Sequence, residues 1–295
     1  MIKPVRKAVL PVAGLGTRIL PAAKTTPKNM LNVFDRPILA HVVAEGLAAG
    51  IEHFIFVVGR GQGTIEDYFD HATELESALA ATGKDASLAE IRAELLEPGQ
   101  MSFVRQMAPR GLGHAVWCAR DLIGDEPFAV MLPDMLMDAA PAALAQVVAA
   151  YEAAGGNIVA VEPAPPGEAH KYGIVALGDE AVGFDGRLHA MTGMVEKPAP
   201  GTEPSDLFIS GRYILQPRIF ALLGDHHTGA GGEIQLTDAM LRLMAEAPFH
   251  ALRYDGVTYD CGDPIGLLRA NLAFALKHPV HGATARAAAE ELLRG

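Results

Sequence analysis

Apolar runs too short for anything but strands alternate with longer stretches of helical spacing along the first half of this chain, and that alternation restricts the fold more than any other feature. Lys7–Val12, His53–Val58, Phe103–Gln106, Phe128–Leu132 and Asn157–Val161 are the short runs. Between them, Pro37–Ala49 carries apolar residues at 38, 39, 42, 43 and 47 behind a proline, the spacing of one buried helix face, and 113–121 and 141–154 also have helical texture. Strands that alternate with helices build βαβ units and a sheet that is largely parallel. The expected class is therefore α/β: a Rossmann-like, mixed but mostly parallel sheet flanked by helices.

Residues 72–96, rich in Ala and Glu, read as a helical insertion at the sheet's edge. From about 163 the texture changes: Pro163, Pro165, Pro166 and Gly167 form a loop, and Tyr172–Leu177, Leu188–Glu196 and Phe208–Leu215 are strand-like pieces. No flexible linker precedes them, so they extend the same mixed sheet. Glu233–Glu246 and Pro264–Lys277 read as closing helices, while the tail after about 280 gives no signal. The expectation is one domain over 1–295, with parts at about 1–162, 163–263 and 264–295.

The chain has 24 Lys and Arg against 35 Asp and Glu, a formal charge of −11, which argues against a nucleic-acid or membrane-surface partner. Its two cysteines, Cys118 and Cys261, form no CxxC, so disulfide and structural zinc scaffolds are disfavoured and a reducing compartment, the cytoplasm, is the default. No apolar stretch approaches the ~20 residues that span a bilayer. The basic-then-apolar N-terminus runs directly into Gly14-Leu-Gly-Thr-Arg18 without a cleavage site and reads as a first strand.

GxxxxGK[ST], HExxH and GxSxG are all missing, and adjacent His226 and His227 read as surface residues rather than metal ligands. What stands out is the turn after the first strand, Ala13-Gly14-Leu15-Gly16-Thr17-Arg18. It lacks the third glycine of a dinucleotide fingerprint, since Ile19 stands there. Alone it is a strand–loop turn. Its company changes the reading: Arg18, Lys24 and Lys28 lie close together behind it in an acidic protein, and glycine backbone with nearby cations makes an anion site.

The string from Leu10 to Leu31, LPVAGLGTRILPAAKTTPKNML, resembles the signature of the sugar-nucleotide pyrophosphorylases, in particular the bacterial uridylyltransferases acting on glucose 1-phosphate. Seven further blocks follow in family order: Gln106 with Gly111-Leu-Gly-His-Ala-Val, Phe128–Asp134, Tyr172–Val175, Val195–Pro198, Gly211–Tyr213, Gly229–Asp238 and Tyr259–Asp263. The resemblance implies transfer of UMP from UTP to glucose 1-phosphate, giving UDP-glucose and pyrophosphate, with Mg2+ as cofactor and a homodimer or homotetramer as the assembly.

The same resemblance implies the site residues. The loop of Ala13, Gly14 and Gly16, with Asn29, Gln106 and Gly111, faces the nucleotide, Gln106 reading uracil with an amide that both donates and accepts. Arg18 and Lys28 hold the triphosphate. Gly173 and Glu196 meet the hexose and Lys197 its phosphate. Asp134 and Asp260, each at the end of a strand-like run, hold the metal. Read alone, either Asp is a solvated strand-end residue, and Glu196–Lys197 an exposed pair before Pro198. The Gly229–Asp238 block reads as a loop entering a helix, without a catalytic role. Two positions depart from the family pattern: Asn29 replaces a Glu, and Met135 follows Asp134 where an acidic or small residue is common. They leave two alternatives open: a non-catalytic regulatory paralogue that binds nucleotide sugars, or a transferase using dTTP or another sugar 1-phosphate.

Overall fold

The computed structural model describes residues 2–294. Its strands are β1 Lys7–Pro11, β2 Asn32–Val33, β3 Arg36–Pro37, β4 His53–Val58, β5 Met101–Arg105, β6 Phe128–Met131, β7 Met135–Asp138, β8 Asn157–Pro163, β9 Gly173–Gly183, β10 Leu188–Glu196, β11 Leu207–Leu215, β12 Phe249–Arg253 and β13 Val257–Asp260. Nine form the main sheet, in the order β5-β4-β1-β6-β11-β8-β12-β10-β9.

β5, β4, β1 and β6 are mutually parallel, as are β8 and β12; β11 and β10 run antiparallel to their neighbours. Seven of the nine strands thus share one sense, the mixed but mostly parallel sheet expected. Beyond their first residues, Lys7 and His53, β1 and β4 are apolar because both faces are covered. Ala8, Leu10, Phe54 and Phe56 enter one core with Ile38, Leu39, Val42 and Val43 of helix Ile38–Ala48. Val9, Ile55 and Val57 enter the other with Ala115 and Val116 of helix Leu112–Cys118. Alternation with period two distributes successive residues to the two faces.

The 72–96 segment is two helices, Thr73–Ala81 and Asp85–Arg92, leading into edge strand β5. The second half holds a feature the strand pattern does not announce. β9 pairs with β10 and also, through Ile174 and Phe208, with β11. The last five strands therefore close on one another, and the Gly173 end of β9 returns to the start of β11. Glu196, at the end of β10, lies opposite Gly173. The tail that gave no signal is helix Gly282–Arg294, which packs against helix Pro264–Lys277. Among the described residues, no helix is long and apolar enough to cross a membrane.

Candidate active site

Loops after the parallel strands β1, β4, β5 and β6 leave the sheet at one edge, where ligands of open α/β sheets bind. The first is the Gly-rich turn. Val12, at its base, gives its carbonyl to two side chains: Gln62 Nε2 donates at 2.7 Å and Asn29 Nδ2 at 3.4 Å. Ala13 and Gly14 then emerge toward solvent. Gly16 has φ +64, and a Cβ there would come within 2.9 Å of Ala23 Cβ and 3.1 Å of Lys28 Cβ. Only glycine turns the chain here without strain or collision. The turn folds the next segment back over itself, so that the Lys28 side chain passes close to Gly14.

Asn29, expected from sequence to face the nucleotide, has no exposed surface. It is fully buried beneath the loop, and its Oδ1 has no hydrogen-bond partner. It supports the base of the turn from below. Lys24, the third cation of the run, is exposed and makes no ion pair among the described residues.

Asp134 lies between β6 and β7, and Asp260 ends β13. The two short strands pair antiparallel with Met135 opposite Asp260, so a ribbon holds both carboxylates side by side although 126 positions separate them in sequence. Cys261 N–H donates to the Asp134 carbonyl at 2.8 Å, and Gly262 N–H to Asp260 Oδ1 at 2.8 Å. Lys28 Nζ donates to Asp134 Oδ2 at 2.5 Å. Arg18 spans both acids, with Nη1 3.0 Å from Asp260 Oδ2 and Nη2 3.7 Å from Asp134 Oδ2. Burial works to raise the Asp134 carboxyl, yet Lys28 and Arg18 outweigh it and hold the group below the ordinary carboxylate range. Burial likewise opposes the charge on Arg18, and Asp260, Asp134 and Asp263 more than compensate. Two cations and two carboxylates thus neutralise one another.

Arg212, whose position the sequence marks only as part of a block, lies under this group. It is fully buried. Its Nε and Nη2 donate to the two oxygens of Glu45 at 3.0 and 2.7 Å, Nη1 donates to Leu132 O at 3.0 Å and Nη2 also to Met135 O at 3.0 Å. The last two carbonyls flank Asp134, so the guanidinium braces the turn that carries it. Every donor pair faces an acceptor, the condition under which a buried ion pair is tolerated.

The block of Gln106 and Gly111 sits beside the Gly-rich turn. Gln106 follows β5 and is buried, with its N–H on Val58 O. Gly111, at φ +102, caps helix Leu112–Cys118. A Cβ there would strike Glu233 Cβ and Ile234 O, both at 2.8 Å. The loop from Gly229 to Gln235, given no role from sequence, therefore packs on Gly111. It leads into helix Leu236–Leu243, which begins later than the expected 233. Thr237, in that helix, donates to Glu196 Oε2 at 2.7 Å and fixes its carboxylate. One segment thus touches both Gly111 and Glu196.

Lys197 follows Glu196 with φ +49, a conformation rare for a residue with a side chain and often retained where function demands it. Its N–H bonds Tyr172 O at 3.0 Å, and its ammonium is half exposed, 3.5 Å from Glu196 Oε1. Tyr172 ties this block to the carboxylate pair: burial first, then the charges of Asp260 and Glu168, push its hydroxyl up to about 12. The structure thus brings Ala13, Gly14, Gly16, Arg18, Lys28, Gln106, Gly111, Asp134 and Asp260 to one edge and sets Gly173, Glu196 and Lys197 beside them. His226 departs from its surface reading. It is partly buried edge-on to Trp117, ring centroids 4.7 Å apart, while His227 is exposed. The described residues contain no group of three or more metal-binding side chains.

Residues 7–276 match the family model described as nucleotidyl transferase. The UTP–glucose-1-phosphate uridylyltransferase of Komagataeibacter xylinus is 44% identical over 265 residues, 90% of this chain and 92% of that protein. A UTP-bound UGPase from Acinetobacter baumannii superposes with a TM-score of 0.89 at 41% identity, over 98% of this chain and 99% of that one. A UDP-glucose pyrophosphorylase complexed with UDP-glucose superposes with a TM-score of 0.81 at 37% identity, over 93% of this chain and all of that one. With its blocks assembled at one edge of the expected sheet and the match extending over nearly its whole length, the chain belongs to the nucleotidyl transferase family.

Proposed function

We propose that this protein transfers UMP from UTP to glucose 1-phosphate, yielding UDP-glucose and pyrophosphate, in the cytoplasm. The observation that carries the reading is the self-neutralised group of Lys28, Arg18, Asp134 and Asp260, placed between a Gly-rich turn and a strand end bearing a fixed carboxylate and a strained lysine. Residues 1–162 hold most of the nucleotide and 163–263 the sugar phosphate, with Asp260 returning to the first part through the ribbon.

The base rests against the turn of Ala13, Gly14 and Gly16 and against Gln106 and Gly111. Lys28 and Arg18 would serve the phosphate oxygens, and Asp134 and Asp260 are the residues that would hold magnesium. Two oxygen donors side by side suit this ion, which takes one or two protein carboxylates and completes its shell with water and phosphate. When bound, it neutralises charge on the phosphates. Gly173 and Glu196 meet the hexose and Lys197 its phosphate. A phosphate oxygen of glucose 1-phosphate attacks the α-phosphorus in line, the new O–P bond forms, the bond to the β-phosphate oxygen breaks, and pyrophosphate leaves with the electron pair. No protein nucleophile is required; positioning and charge stabilisation carry the rate.

Ile265, Leu268 and Leu272 on one closing helix and Leu292 and Leu293 on the other are exposed, which supports self-association as a homodimer or homotetramer. The thiols of Cys118 and Cys261 are both free, in keeping with a reducing compartment. Pyrophosphate release measured over a panel of nucleoside triphosphates and sugar 1-phosphates tests the proposal. UTP with glucose 1-phosphate should lead the panel, and UDP-glucose with pyrophosphate should regenerate UTP. Tight UDP-glucose binding without turnover in either direction would establish a regulatory nucleotide-sugar binder instead, and preference for dTTP would establish the related transferase.

A further inference from the structure

A carboxamide offers two donors at one end and an acceptor at the other, and turning it by half a rotation exchanges them. The fold settles which end of Gln106 points inward. One end lies 3.1 Å from Gly111 O, and a carbonyl can only accept, so that end is Nε2. The same nitrogen lies 3.1 Å from His114 Nδ1. That ring nitrogen accepts the second amide proton when the imidazole carries its own proton on Nε2. Both protons of the amide are then directed at the protein, and the group left to meet a base is Oε1, an acceptor.

This sense has a consequence for base choice. Uracil carries a donor at N3, which an acceptor matches; cytosine carries a lone pair there, which an acceptor repels. A site built on a polar match rejects a ligand that leaves its buried group opposed or unpaired more strongly than an apolar pocket rejects a change of size. We propose that His114 is a positioning residue that holds the amide of Gln106 acceptor-outward and so sets the preference for a pyrimidine with a protonated N3 over cytosine. The proposal rests on the reading that the base lies against Gln106 and Gly111.

The surroundings of His114 favour the neutral ring this requires. The side chain is buried in helix Leu112–Cys118, with Trp117 stacked on it, ring centroids 5.9 Å apart, and His226 edge-on at 5.9 Å. Cys118 Sγ lies 3.9 Å from Nδ1 on the same helix. Arg110 approaches from the preceding loop, and Glu233 packs against the adjacent Gly111. Burial first, then the charges of Arg110 and His226, lower the tendency of His114 to protonate. Once it does protonate, Nδ1–H meets Nε2–H donor to donor. The amide or the ring must turn, and the outward acceptor is no longer held.

The test is equilibrium binding and kcat/KM for UTP and CTP with the full-length protein between about pH 5.5 and pH 8, where histidine titrates. The triphosphates of the two nucleotides titrate alike, so the UTP:CTP ratio isolates the base. His114→Phe keeps a ring beside Trp117 and removes the acceptor. The ratio should fall roughly 3–10-fold, the factor for one ordinary hydrogen bond, and through KM for UTP more than through kcat. In the unsubstituted protein the ratio should fall toward acid, and in His114→Phe it should be flat with pH. A UTP:CTP ratio in His114→Phe equal to that of the unsubstituted protein overturns the proposal. Gln106→Ala separates the two levels: if it collapses the ratio and His114→Phe does not, His114 has no positioning role and the base site stands. If Gln106→Ala leaves the ratio intact, the base site itself is misplaced.

Discussion

The two halves of the site orient their charged groups by different means. At the nucleotide half, Asp134 and Asp260 are held mainly by opposite charge, from Lys28 and Arg18. At the sugar half, Glu196 is held by a neutral hydroxyl, Thr237, and Lys197 by its own strained backbone and an N–H bond to Tyr172. Lys28 and Arg18 both reach Asp134 through Oδ2, so a metal cation at that oxygen competes with them. A carboxylate held by a hydroxyl keeps its orientation without a charged partner on that oxygen, and the other oxygen of Glu196 meets the half-exposed Lys197 ammonium at 3.5 Å. On the proposed function, the nucleotide half exchanges partners on loading, whereas Glu196 of the sugar half is already oriented.

The contrast orders the expected effects of substitution. Asp134→Ala and Asp260→Ala strike the half where charge does the positioning, and each should lower turnover by roughly 100-fold or more, the scale of several kcal/mol of transition-state charge stabilisation. Near-normal turnover at low magnesium in either variant would remove that carboxylate from the metal site. The lysines come next. A hydrogen bond to a charged group contributes ~1.5–3 kcal/mol, a factor of roughly 10–100. Lys28→Ala should weaken UTP and pyrophosphate by that factor, and Lys197→Ala glucose 1-phosphate, measured by direct binding because KM need not equal Kd. If Lys197→Ala weakened UTP alone, the division into halves would be wrong.

Thr237→Val tests the neutral anchor. It should raise the Kd for glucose 1-phosphate by about 3–10-fold, as for one lost hydrogen bond, and leave UTP binding unaltered. An equal effect on both ligands would break the contrast. The smallest effect belongs to Asn29→Ala. It gives up one long hydrogen bond to Val12 O and also removes a buried oxygen without a partner, so thermal unfolding should register a change below ~1 kcal/mol. A larger loss would mean that Asn29 does more than support the loop.

Much of the nucleotide half is legible in the chain because its determinants are local. A strand buried on both faces is apolar at every position, as His53–Val58 is at all but its first, and the Gly-rich turn and its cations lie within 20 residues. The sugar half is less legible because long-range pairing decides it. The closure of β9 onto β11 through Ile174 and Phe208 leaves no periodic trace. Glu196 and Lys197 read as a turn pair until Thr237, 41 positions away, reaches them. Arg212 and Glu45 are 167 positions apart, and in sequence each resembles a surface charge. Asn29 shows the reverse case. Its chemical departure is visible in sequence, but the depth at which it lies is fixed by the loop folded above it.

Calorimetric titration of magnesium tests most directly the proposed exchange of partners between the cations and carboxylates of the nucleotide half on loading. Without nucleotide, Lys28 and Arg18 already neutralise Asp134 and Asp260, so magnesium alone should bind weakly. With UTP present, its affinity should exceed the sum of what free UTP and the protein show separately by at least about 10-fold, a coupling of ~1.4 kcal/mol within the usual range between linked sites. Lys28→Ala should raise the affinity for magnesium alone, since one carboxylate loses its competitor. Equal magnesium affinity with and without UTP, unaltered by Lys28→Ala, would contradict the exchange.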